Sequence, residues 1–160
     1  MYNGLLHLHS LLRWVILILL LVAVYRSLVD RNSAFTNFHR KTGLLLVICC
    51  DIMLLLGLYQ WFAGSFGLKA IQQVGFTELM SNTANKFYRF FAIEHFAAMI
   101  IAIVLVHVGR SYAKKDVPDA VKHKRAVVFF GLALLIILIS IPWPFREVGH
   151  MTNRHWFPGL

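Results

Sequence analysis

Acidic side chains are scarce in this chain: seven Asp or Glu stand against sixteen Lys or Arg in 160 residues, a formal charge of +9. Charged residues of either sign reach only 14%, well below the roughly 25% usual in water-soluble globular chains. Cysteine is confined to the adjacent pair Cys49 and Cys50. Neighbouring cysteines rarely bridge, which excludes a disulfide framework and leaves both to pack as small apolar residues. Proline is limited to four residues, and no Pro- or Ser-rich stretch or internal repeat divides the chain, so residues 1–160 read as a single domain. GxGxxG, P-loop, HExxH, CxxCH and paired CxxC patterns are all missing. A soluble-type nucleotide site, a zinc protease and a covalently attached c-type haem therefore have no support.

Apolar residues fill the space that charge vacates, at 59% of the chain with a mean hydropathy of +0.67. They gather into four blocks, about residues 4–25, 42–62, 87–109 and 126–143. Each block is close to the ~20 residues needed to cross ~30 Å of hydrocarbon. Backbone groups in lipid must satisfy one another, which predicts helices, and the alternation of membrane barrel strands is not seen. The fold expected is an all-α, integral membrane, up-and-down four-helix bundle. The first block has no basic leader and carries Arg13 within it, so it reads as a retained span rather than a secretory signal. Between the second and third blocks, Phe66, Leu68, Ile71, Val74, Phe76 and Leu79 suggest a short interfacial helix, which Gly67 and Gly75 weaken. The stretch IPWPFR closes the fourth block: Pro142 and Pro144 stop a helix, and Trp143 and Arg146 suit the interface.

Basic residues are divided unequally between the two sides. The loops at residues 26–41 and 110–125 hold ten Lys or Arg, whereas the opposite side holds five: Lys69, Lys86, Arg89, Arg146 and Arg154. Positive loops face the cytoplasm, so both termini are expected outside it. A basic rim facing anionic lipid accounts for the charge without nucleic acid.

Three histidines, His9, His95 and His107, are expected inside the hydrocarbon region, with His7 nearer the interface, while His39, His150 and His155 read as interfacial or solvated. At 1.5 Å per residue His9 and His95 lie about 8 and 12 Å below the outer boundary. They sit on the first and third spans, which are parallel and diagonal in such a bundle, so their imidazoles can meet across its centre as the axial ligands of a b-type haem. Arg13, one turn below His9, and Glu94, beside His95, are expected to pair within the bundle. Arg13, Arg89 and Arg146 can hold haem propionates, Glu94 can accept from a ligand histidine, and Trp14, Phe90, Phe91 and Phe96 can line the macrocycle. Each element has a structural counterpart: cross-helix hydrogen bonds for the histidines, a plain ion pair for Arg13 and Glu94, ordinary packing for the rings. His107 is turned about 120° from His95 around an ideal helix, which argues against a second haem shared with His39. Asp51, mid-span, either joins a proton relay toward a quinone or bonds between helices, with Arg13 as its expected partner.

The stretches LLHLHSLLRW, LLLGLYQWF, RFFAIEHFAAMIIAIVL and IPWPFR, which cover all four spans, resemble the small four-span membrane proteins of Bacteroidetes-type bacteria labelled cytochrome b. Its most specific pieces are H-S-x-x-R-W at 9–14, R-F-F-x-x-E-H at 89–95 and I-P-W-P-F-R at 141–146. The resemblance implies a haem b electron carrier of the bacterial inner membrane and brings no catalytic reaction with it. At Asp51 the chain departs from that pattern, since some members carry a histidine there. Two functions stand side by side: an electron-transfer protein with haem b between His9 and His95, exchanging electrons with a quinone pool, or a haem-free structural or assembly subunit whose polar residues lock the bundle. The partners expected are the bilayer, a respiratory complex or other redox partner, and further copies of the chain.

Overall fold

A computed structural model describes residues 2–143, so Arg146, His150, Arg154 and His155 lie outside the described residues. Helix α1 runs Tyr2–Val29, α2 Asn37–Ala63, α3 Leu68–Val74, α4 Phe76–Ser81, α5 Lys86–Arg89, α6 His95–Tyr112 and α7 Asp119–Ser140. A single 3-10 turn, Thr83–Asn85, precedes α5, and a π-helical turn, Phe90–Glu94, joins α5 to α6. Four of these helical stretches are long and apolar enough to cross a membrane. The chain is an all-α, multi-pass membrane bundle.

Local chemistry sets the ends of these helices. Beyond Val29 the polar run Asp30-Arg31-Asn32-Ser33 leaves hydrocarbon, and Arg26 bridges to Asp30 at 2.9 Å, one turn apart. Thr36 is the N-cap of α2, and the following first turn carries His39, whose Nδ1 accepts from the Thr36 backbone N–H at 3.3 Å. Pro118 precedes the first residue of α7. Pro142 stops that helix: Ile141, the residue before it, is extended at φ −73°, ψ 130°.

Helix α1 packs on α2 and α7, and α6 packs on the same two, so α1 and α6 face each other across the bundle. The core runs through Leu20, Leu46, Ala102, Val106, Phe130 and Ala133. Small residues let the backbones approach, the usual basis of helix association where lipid is as apolar as the core. At Gly109 an added Cβ would lie 2.8 Å from the Phe130 ring. Outward positions such as Ile18, Leu21, Leu55, Ile101 and Leu135 are exposed, as a hydrocarbon solvent permits.

The connection between the second and third spans differs from the single interfacial helix suggested by its pattern. It folds as two short helices, broken at Gly75, whose φ of +85° few residues other than glycine adopt. Leu79 and Ala70 tuck inward from it and are fully buried. The third span also differs from the uninterrupted helix expected over 87–109. Its first part holds the π-turn, a feature frequent at functional sites, immediately before His95.

Candidate functional site

At the end of the bundle where α1 begins, the four spans part around a cavity of about 550 Å³, within the ~300–1,000 Å³ usual for cofactor sites. Its walls are mainly apolar, from Met53, Leu54, Met99, Ile103, Ile137 and Ile141, with Cys50 at the α2 side. Into it α1 turns His9, Ser10 and Arg13, a spacing that puts all three toward one side of a helix. His95, Phe91 and Phe96 reach it from the third span. The two histidines singled out by their matching depths therefore line one space, from diagonal helices.

The hydrogen bonds around these rings decide what they can offer. His95 Nδ1 lies 2.9 Å from the backbone oxygen of Ser140. A carbonyl can only accept, so Nδ1 carries the proton, and in the neutral ring Nε2 keeps the lone pair. Ser140 closes α7, where the last carbonyls have no helical N–H to meet them. Glu94 was the expected acceptor for a ligand histidine, and a main-chain carbonyl fills that place. His9 Nδ1 is buried and finds no hydrogen-bond partner among the described residues. Its Cε1 faces Gly57, where an added Cβ would come to 3.8 Å. Arg13 Nη2 donates to Ser10 Oγ at 3.2 Å, and its guanidinium lies 5.4 Å from the centre of the Trp14 ring. Among the described residues no group of three or more His, Cys, Asp or Glu converges on a metal position. His9 and His95 are the two imidazoles on the cavity wall, beside the sulfurs of Cys50, Met53 and Met99.

The expected Arg13–Glu94 pair is corrected by the structure. Glu94 accepts from Arg89 Nε at 2.8 Å on an exposed surface, and Arg89 Nη1 also donates to the Met80 carbonyl at 3.4 Å. Glu94 turns to the side of its helix that carries Arg89 and leaves the cavity to its neighbour His95. Neither Arg89 nor Glu94 is part of the cavity wall, and among the four aromatic rings Phe91 and Phe96 line it whereas Trp14 and Phe90 do not. Trp14 instead meets Trp143 edge-on at 6.1 Å. A tryptophan that the sequence reading passed over, Trp61, does line the cavity. It stacks on Phe96 at 5.0 Å and donates from Nε1 to the Ala92 carbonyl at 3.0 Å, tying α2 to the π-turn.

Asp51 is likewise not Arg13's partner. Its Oδ1 lies 2.8 Å from His107 Nε2, and both side chains are half exposed, at 48% and 47%, along the α2–α6 seam. Mutual pairing is how ionisable groups are tolerated at such a level. Either Asp51→Leu or His107→Leu alone should leave one polar group facing lipid and cost about 1–3 kcal/mol. The double leucine variant should recover most of that loss in an SDS-unfolding titration; singles that add in the double would argue against the pair.

At the other end of the bundle His39 and His123 are both buried, with rings 4.8 Å apart and edge to face. His39 was expected at the interface. Its ring is held inward by Thr36, by Asp30 Oδ2 at 3.2 Å and by Phe35, and no sequence period marks that contact. Comparison with protein-family models, curated proteins and solved structures returns no match to this chain, so the residues themselves carry the functional argument.

Proposed function

We propose that the chain is a membrane electron carrier of the b-type cytochrome kind, with His9 and His95 as axial ligands of a haem held in the cavity between α1 and α6. The observation that carries this reading is the placement of two imidazoles on one cavity from diagonal helices, one of them with its proton committed to the Ser140 carbonyl. A ligating histidine characteristically donates its other ring N–H to a carbonyl or carboxylate, which fixes the tautomer and raises ligand basicity. His9 Nδ1, buried and without a hydrogen-bond partner among the described residues, is a polar group that a bound cofactor would account for. Haem b there would supply one-electron transfer. The chain's own residues orient the two imidazoles, exclude water with Ile, Leu, Met and Phe side chains, and place the Arg13 cation on the cavity wall, where it would hold the carboxylates of the macrocycle.

The test is optical. Protein purified from haem-replete cells and reduced with dithionite should show the sharp α band of a six-coordinate b haem. A colourless preparation would favour a haem-free structural subunit. The direction of insertion belongs to the same proposal: the membrane is the bacterial inner membrane, and the ten basic residues of the 26–41 and 110–125 loops lie in the cytoplasm, which puts the haem near the outer face. A phosphatase fused after Leu160 should be active and one inserted in the 110–125 loop silent; the reverse pattern places the cavity on the cytoplasmic side.

A further inference from the structure

A second cavity, of about 350 Å³, opens at the opposite end of the bundle between the end of α1 and the start of α7. Leu28 and Arg31 border it on one side, and Lys124 and Val128 on the other. Both walls have the same order. Lys124 stands one helical turn before Val128 on the same face of α7, and Arg31, in the turn that follows α1, comes three residues after Leu28, so on each side a cation follows an apolar residue outward along the wall. In each case the cation is the one nearer the end of the span, and Leu28 and Val128 are exposed on the lipid-facing surface.

The charge of this groove is uncompensated. Arg31 and Lys124 form no ion pair among the described residues, and the acids nearest in sequence are committed elsewhere. Asp30 turns to Arg26 and His39, Asp119 to Lys122 and the Phe35 N–H, and Asp116 is not part of the wall. Asn32 adds an amide donor, and Ala120 brings the first turn of α7, a 22-residue helix whose leading amides have no helical carbonyl to meet.

We infer that this groove binds one anionic phospholipid, with the headgroup phosphate at Arg31, Lys124 and Asn32 and an acyl chain laid along Leu28 and Val128. Two cations without a facing carboxylate select a net negative headgroup over a zwitterionic one. The apolar half of each wall distinguishes a lipid from free phosphate, which would leave Leu28 and Val128 unused. The inference does not depend on haem being bound at the other end.

Native mass spectrometry of the full chain in mild detergent provides the test, with phosphatidylglycerol and phosphatidylcholine of matched chains as probes. Wild-type protein should retain one phosphatidylglycerol in preference to phosphatidylcholine, and Arg31→Gln/Lys124→Gln should weaken that retention about 10- to 30-fold, from roughly 1 kcal/mol per cation. Lys41→Gln/Lys114→Gln removes equal charge from the same rim outside the groove and should leave retention unchanged. Val128→Trp, which fills the groove and keeps both cations, should lower retention as well, so the site remains testable if the charge variant folds poorly. Equal retention of the two lipids by wild type, an equal loss in the Lys41/Lys114 control, full retention by Val128→Trp, or displacement of the lipid by millimolar glycerol phosphate each overturns the assignment.

Discussion

Either His95→Ala or His9→Ala should abolish the low-spin, six-coordinate spectrum and lower haem content by at least ~10-fold, the smaller end of what loss of a supporting partner alone costs a metal site. His95 is expected to be the more severe. Its Nδ1–H is anchored on the Ser140 carbonyl, so its ring is already aimed before any cofactor arrives, whereas His9 Nδ1 has no such anchor among the described residues. Three variants discriminate ligation from loss of fold. His107→Ala removes an imidazole of the same span that pairs with Asp51 outside the cavity, and should leave the spectrum intact. His7→Ala removes an exposed imidazole two residues from His9 that does not line the cavity, and should do the same. Arg13→Gln keeps both ligands and removes the cation, so it should hold haem with a changed potential and an unchanged α band. Haem retained by both His9→Ala and His95→Ala, measured as pyridine haemochrome per protein, would sink the site.

The parts of this architecture that were legible beforehand are those that the bilayer dictates. A helix must be about 20 apolar residues long to cross, so four blocks gave four spans, and consecutive spans of one chain alternate in direction. The same rise per residue put His9 and His95 at matching depths, and diagonal packing of α1 and α6 brings both to one cavity. Partner choice was far less legible. Glu94 was matched to Arg13 on depth, but direction around the helix governs pairing, and Arg89 lies on its own side. Asp51 was matched to Arg13 on charge, yet it turns toward the α6 side and meets His107. The π-turn at Phe90–Glu94 has no hydropathy signature, because inserting one residue changes direction without changing composition. His39 and His123 pair through residues of two different loop ends, 84 positions apart, with no spacing that links them.

Gly67→Ala should be the most disruptive single methyl group in the described chain, costing about 2–4 kcal/mol. The Cβ would come 2.1 Å from the Trp61 carbonyl oxygen and 2.7 Å from its carbonyl carbon and Cα. All three obstacles are backbone, so no rotamer change relieves the contact and either the end of α2 or the start of α3 has to move. The consequence reaches the cavity through Trp61. That side chain holds the π-turn by its bond to the Ala92 carbonyl, stacks on Phe96, and shares the cavity wall with Gly67 itself. Gly67→Ala should therefore lower the unfolding midpoint and also broaden or weaken the haem spectrum. Trp61→Phe keeps the ring contact and removes the donor, leaving the Ala92 carbonyl short of a partner; it should cost about 1–3 kcal/mol and disturb the spectrum more than the stability. Gly131→Ala is the contrasting case: its added Cβ meets nothing within 4 Å inside α7, and replacing a mid-helix glycine should be neutral or stabilising by up to ~1 kcal/mol. Thermal unfolding of the three variants beside wild type orders them, and a Gly67→Ala protein as stable as Gly131→Ala would show that the turn after α2 does not press on Trp61 as described.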